Sequence, residues 1–146
     1  MIYLADAEAT EAFGRRIAGT IEVGDIVALF GELGAGKTTL ARGIIDGLGH
    51  AGDIASPTFP IVQVYDEPRV PVWHVDLYRV EDPRAIEQLG LDEALDEAAL
   101  LIEWPERLGT GLWGDALRLS LATVGEGARA LTAMVPPAWE GRWPPR

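Results

Sequence analysis

Gly31-Glu32-Leu33-Gly34-Ala35-Gly36-Lys37-Thr38 fits the pattern G-x-x-x-x-G-K-[ST], and each residue type in it has a physical task. Glycines let the backbone curl until several N–H groups point at one anion, with no side chain in the way. A helix starting near Gly36 adds the positive end of its dipole. The Lys37 ammonium reaches the β- and γ-phosphates of a nucleotide, and the Thr38 hydroxyl ligates Mg2+. Lys and Arg together number 12, and Lys37 is the only lysine. In a chain that otherwise uses arginine, one compact ammonium marks a place where a planar guanidinium fork does not fit. The competing reading is a glycine-rich turn with no ligand, and the lone lysine weighs against it.

A triphosphate site also needs acids that hold Mg2+ or orient water. Such a carboxylate usually ends a buried strand beside the loop. Glu103 ends the apolar run ALLIE, and Asp76 lies in VWHVDLY. Alternation in that second stretch puts His74 and Asp76 on one face and Trp73, Val75 and Leu77 on the other. Either acid alone reads equally well as the solvated end of a strand. Together, with the phosphate loop present, they read as functional. Guanine-reading sites use Asn- or Thr-Lys-x-Asp; this chain has no asparagine and no second lysine, so ATP is favoured by default. Ser56-Pro57-Thr58-Phe59 falls where switch-like loops sit in nucleotide triphosphatases, and a Thr58 hydroxyl there can sense a γ-phosphate. It reads equally as a proline-stiffened turn. His50, after a helix-ending glycine, reads as exposed. Arg79 and Arg107 read as charge stabilisers or as surface arginines.

These residues need elements to position them. Asp6 caps a predicted helix over 7–19, where Ala9, Phe13 and Ile17 recur on one face. DIVALF (25–30) is a short continuous apolar run, as expected of a strand buried on both faces. The helix after the loop carries Leu40, Ile44 and Leu48 on one side and stops at Gly49. IVQVY (61–65) and VWHVDLY (72–78) alternate as strands. Asp82-Pro83 opens a short helix over 83–89, and LDEALDE (91–97) predicts another. ALLIE (99–103) is a second buried strand. ALRLSLATV (116–124), a GEG turn and ARALTAMV (128–135) form a hairpin. The expected fold is therefore α/β: a three-layer domain over residues 1–136 with a mixed, mostly parallel sheet and an antiparallel C-terminal hairpin. Residues 137–146, rich in proline, are expected to be a poorly ordered tail.

Composition bounds the rest. The 146 residues suit one core, with 48% hydrophobic and 24% charged residues. Absent cysteine excludes disulfides and thiolate metal sites, and two histidines make a zinc site unexpected. A net charge of −11 argues against direct binding of nucleic acid, so any such encounter is expected to pass through a partner. No apolar run approaches a membrane span, and the first residues lack a signal-peptide pattern. A cytoplasmic protein is expected.

Four segments, GELGAGKTT, SPTF, HVDLYR and LIEWPERL, occur in the order and spacing of the TsaE (YjeE) family, which the chain resembles over about residues 5 to 135. The loop alone is generic; DLYR and EWPER are much more specific. The resemblance implies a P-loop domain that binds and hydrolyses ATP with Mg2+, slowly when alone. It implies a complex with TsaB and TsaD that makes threonylcarbamoyladenosine next to the anticodon of certain tRNAs, with TsaD carrying out the transfer. Lys37 and Thr38 match the family's phosphate and metal residues, and Thr39 its next loop threonine. Asp76 matches the DLYR acid, and Glu103 and Trp104 match the EWPER acid and its indole. Ser56 and Thr58 match the switch-like loop. Pro60 departs from the family's usual threonine and stiffens that loop. The tail with its two tryptophans has no counterpart. The alternatives are a small-molecule kinase, for which little chain is left to build a lid, and an ATP-gated adaptor with negligible hydrolysis.

Overall fold

The structure, a computed structural model, describes residues 1–50, 54, 62–66, 68–111 and 113–145. Ser56, Thr58 and Pro60 lie outside the described residues. Two apolar runs lie at the centre of the sheet. Strand β2 (Ile26–Phe30) and strand β5 (Ala99–Glu103) pair in parallel, and β5 is buried along its whole length. Strand β4 (Val72–Asp76) pairs in parallel with β5 on its far side, with Asp76 opposite Glu103. Both acids therefore stand at the carboxyl ends of neighbouring strands. The loop that follows β2 starts from that same end, where ligands of open α/β sheets bind.

The remaining strands extend the sheet to the order β1-β7-β6-β2-β5-β4-β3. Strand β6 (Leu117–Thr123) runs parallel to β2, and β7 (Arg129–Met134) turns back antiparallel to it. Strand β1 (Ile2–Leu4) is antiparallel to β7, and β3 (Val62–Tyr65) is antiparallel to β4. All strands but β3 and β7 thus point one way. At three residues, β1 is too short to leave a periodic signature, and the sequence reading has no counterpart for it.

Two helical layers cover the sheet. On one face lie α1 (Ala7–Ala18) and α2 (Lys37–Gly47), whose Phe13, Ile17, Leu40 and Ile44 join Val27, Leu29, Leu101, Leu119 and Leu131 in one core cluster. On the other face α3 (Pro83–Glu87) and α4 (Leu91–Ala94) place Ile86 and Leu91 against Val75, Leu77, Leu100 and Ile102. Caps set the boundaries: Asp6 accepts from the Ala9 amide at 2.8 Å, and Asp82 from the Arg84 amide at 2.9 Å. Helices α3 and α4 end earlier than their periodicity predicts. Residue 50 also differs from expectation: His50 is half-buried, its ring edge-on to Tyr65 with centroids 4.6 Å apart.

Helices α1 and α2 touch backbone to backbone. A Cβ on Gly43 would stand 2.1 Å from the Glu11 carbonyl oxygen, and one on Gly14 2.5 Å from that of Leu40. Glycine inside a helix costs about 0.5–1 kcal/mol; close packing offsets that here and fixes α2, which carries Lys37 and Thr38.

The tail corrects its expectation. Pro137–Trp139 forms a single 3-10 turn, and Trp139 is fully buried in the core of α1 and α2. Trp143 packs edge-on to Phe13 at 5.9 Å. Arg142 bonds both Asp25 carboxylate oxygens at 2.6 and 3.1 Å and lies over the Trp139 ring at 4.1 Å. Proline content disfavours regular structure, but one turn with aromatic anchors needs none.

If α1 and α2 depend on this contact, Gly43→Ala will destabilise the fold by about 2–3 kcal/mol. Gly114→Ala, at a site with no atom near the added methyl, will change it by less than about 0.5 kcal/mol. Urea denaturation of both variants measures the difference.

Candidate phosphate-binding site

The loop between β2 and α2 starts pressed against β6 at Gly31, where a Cβ would stand 2.7 Å from the Leu121 carbonyl oxygen. The Ala35 amide donates to the Glu32 carbonyl at 3.0 Å, making the tip a tight turn. Glu32, Leu33 and Gly34 form its exposed rim. Gly36, in the left-handed region at φ 101°, is the N-cap of α2. The first amides of α2 are those that a helix leaves unpaired. Thr39 is half-buried in the first turn of α2.

Lys37 is only 4% exposed. Its ammonium donates to the Gly31 carbonyl and, at 3.3 Å, to that of Glu32. The same Nζ lies 3.7 Å from the centre of the Trp104 ring, within cation–π range. Burial holds the Lys37 pKa below the ordinary lysine value, and Glu103, Glu106 and Asp76 partly restore it.

Thr38 and Glu103, 65 residues apart in the chain, meet directly: the hydroxyl donates to the carboxylate at 3.0 Å. The other oxygen of Glu103 lies 2.6 Å from His74 Nε2. Both the His74 ring and Glu103 are buried. The other ring nitrogen of His74, Nδ1, is buried and has no hydrogen-bond partner among the described residues. Asp76, beside Glu103 in register, accepts from the Tyr78 amide at 2.9 Å. Burial pushes its carboxyl above the usual aspartate range, against the lowering effect of the Tyr78 amide; Glu103 adds to the rise.

Trp104 has φ 59°, a conformation uncommon for any non-glycine residue and rarer before proline. Holding it there costs on the order of 1–3 kcal/mol. The turn folds the indole back over Lys37 and against Tyr78, whose ring centre is 4.8 Å away. Pro105 then starts the 3-10 helix Pro105–Gly111, leading the chain away.

A family model described as "Threonylcarbamoyl adenosine biosynthesis protein TsaE" matches residues 4–131. The chain belongs to the TsaE family. The Streptomyces coelicolor tRNA threonylcarbamoyladenosine biosynthesis protein TsaE is 45% identical over 113 residues, 74% of this chain and 75% of that protein. The Bacillus subtilis protein of the same name is 36% identical over 126 residues, 86% and 78% of the two chains. Among solved structures, the crystal structure of Bacillus subtilis YdiB matches with a TM-score of 0.81 at 29% identity, covering 96% of this chain and 88% of that one. That agreement gives the chain the same fold as that protein.

The structure gathers Lys37, Thr38, Asp76, Glu103 and Trp104 around one loop, while Arg79 and Arg107 are exposed. Sequence reasoning missed two residues at this site. His74 had a signal, since alternation already placed it on the face of Asp76. Arg129 had none: it reaches the loop from β7, donating to the Ala35 carbonyl at 2.8 Å from 94 residues away.

Replacing His74 with phenylalanine removes the 2.6 Å partner of a buried Glu103 oxygen. We expect His74→Phe to cost about 1–3 kcal/mol of stability. Adding Glu103→Gln will cost less than the two single changes summed, as a double-mutant cycle in urea can measure.

Proposed function

We propose that this chain is a Mg2+-dependent ATPase subunit acting with TsaB and TsaD to make threonylcarbamoyladenosine next to the anticodon of tRNA. Contact with the tRNA would run through the partners, in keeping with the −11 net charge. The observation that carries the reading is the bond from Thr38, the last residue of the phosphate-loop motif, to Glu103 at the end of β5. A turn built only for structure has no need of a buried strand-end carboxylate at that hydroxyl.

The donor set suits Mg2+. Among the described residues no three His, Cys, Asp or Glu side chains could hold a metal by themselves. Mg2+ rarely needs such a cage: it keeps waters and takes one or two protein oxygens beside the substrate's phosphates. Thr38 and Glu103, with Asp76 adjacent, offer those oxygens. When bound, the ion would neutralise charge on the β- and γ-phosphates.

The chain's own residues supply the rest. The unpaired amides at the start of α2 and the Lys37 ammonium bind phosphate oxygens. Lys37 is already stripped of most of its water, so an anion is a strong partner for it. Glu103, fixed between Thr38 and His74, orients the attacking water. Asp76, with its carboxyl raised by burial, is shifted toward the range in which a general base works. At rest Lys37 is held by two loop carbonyls, and partners that release its ammonium to the phosphates would speed a reaction that the family resemblance implies is slow alone.

ATP hydrolysis measured with and without the TsaB–TsaD pair tests this. We expect clear stimulation by the pair. Glu103→Gln should still bind ATP, yet turn it over at least about 100-fold more slowly. Turnover unchanged in that variant would remove Glu103 from the chemistry, and robust phosphate transfer to a small acceptor would make the chain a kinase.

A further inference from the structure

Outside the phosphate loop, on the side away from Lys37, sits one guanidinium. Arg129 begins β7, the strand next to the β1 edge. Its Nε donates to the Ala35 carbonyl at 2.8 Å, and one terminal nitrogen donates to the Gly34 carbonyl at 3.1 Å. The other terminal nitrogen donates to the Ala128 carbonyl at 2.9 Å, tying the fork to its own strand. The Arg129 stem lies along Gly36, whose added Cβ would sit 3.5–3.9 Å from Nε, Cγ and Cδ.

The consequence follows from peptide geometry. In a trans peptide the C=O and the next N–H point in opposite directions. Drawing the Ala35 carbonyl outward to Arg129 turns the Gly36 amide the other way, toward the concave side of the loop. That amide precedes Lys37 and is one of those such a loop presents to phosphate. Gly34 and Gly36 are both in the left-handed region, at φ 81° and 101°, so the free backbone has ample freedom to turn these peptides over. Two charge-assisted bonds from one rigid fork remove that freedom.

We propose that Arg129 is a positioning residue for nucleotide binding: it clamps the outer carbonyls of Gly34 and Ala35 and so holds the Gly36 amide in its anion-binding orientation before any nucleotide arrives. This rests on the nucleotide-binding reading above. The effect is one of fork geometry rather than of charge. Lysine carries the same charge but a single ammonium, which cannot span both carbonyls at these angles.

Titration calorimetry of the whole chain with ATP and Mg2+, and separately with ADP, tests the clamp. Binding by the unaltered chain supports the underlying reading; no binding there would overturn that reading and the clamp with it, whereas binding unchanged in the variants would overturn the clamp alone. Given binding, we expect Arg129→Lys and Arg129→Ala each to weaken affinity by about 10-fold or more, the loss of one or two charge-assisted bonds. With the TsaB–TsaD pair, KM should rise while kcat at saturating ATP stays within about 2-fold, because the clamp acts on binding. Melting curves taken alongside confirm that both variants are folded at the temperature used. Full affinity in Arg129→Lys would mean that charge alone matters and would overturn the clamp. So would full affinity in a folded Arg129→Ala.

Discussion

Everything at the carboxyl end of the sheet is arranged around one buried carboxylate. Glu103 is 2% exposed, and an acid that has lost its water must be given partners or be driven to its neutral form. The chain supplies two, from elements distant in sequence: Thr38 on α2 and His74 on β4. Satisfying Glu103 thus fixes the lateral order of β2, β5 and β4 at their ends. It also fixes the angle at which α2 leaves the loop. A shift of one residue in the β4–β5 register would turn His74 and Asp76 to the opposite face, stranding Glu103 among apolar side chains.

The opposite requirement governs the ends of the molecule. There the chain must close a core rather than open a site. Trp139 is fully buried in the core cluster that α1 and α2 share with the sheet, and Arg142, over its ring, makes a paired fork on Asp25, just before β2. Asp25 precedes the strand by one residue, whereas the phosphate loop follows it. The two ends of β2 therefore differ, one anchored by an ion pair with limited exposure and the other leading into the G-x-x-x-x-G-K-[ST] loop. Strain is concentrated at the loop end, in the left-handed Trp104. The flanking contacts of its indole with Lys37 and Tyr78 hold it there.

Much of this was legible in the sequence, for reasons that separate into local and non-local. The G-x-x-x-x-G-K-[ST] loop and its flanking strand and helix are local, and so are the caps at Asp6 and Asp82. The buried runs IVALF and ALLIE announce parallel strands because both faces are covered. Glu103 ends one such run, whereas Asp76 lies in the alternating stretch VWHVDLY, and only the strand register sets it opposite Glu103. What escaped depended on tertiary partners. His74 read as a strand residue until its neighbour across the sheet was known. Arg129 is one of eleven arginines and carries no local mark. The tail's prolines outweighed its tryptophans because composition counts residues and not the cavity that one of them fills. The family resemblance added the pathway, which no residue type or spacing encodes.

The single lysine now has a structural account, and so does the arginine beside it. Inside the loop, Nζ of Lys37 fits between two carbonyl oxygens and the face of an indole. That space suits a compact point charge whose donors can turn. Outside the loop, the carbonyls of Gly34 and Ala35 lie where a planar fork meets both at once. Exchanging the two residue types would fail on both sides of the same backbone. A guanidinium inside would bring a rigid plane where donors must turn, and an ammonium outside would release one carbonyl. The loop is thus held by a rigid fork on one side of its backbone and by a compact ammonium on the other, and each residue type suits only its own side.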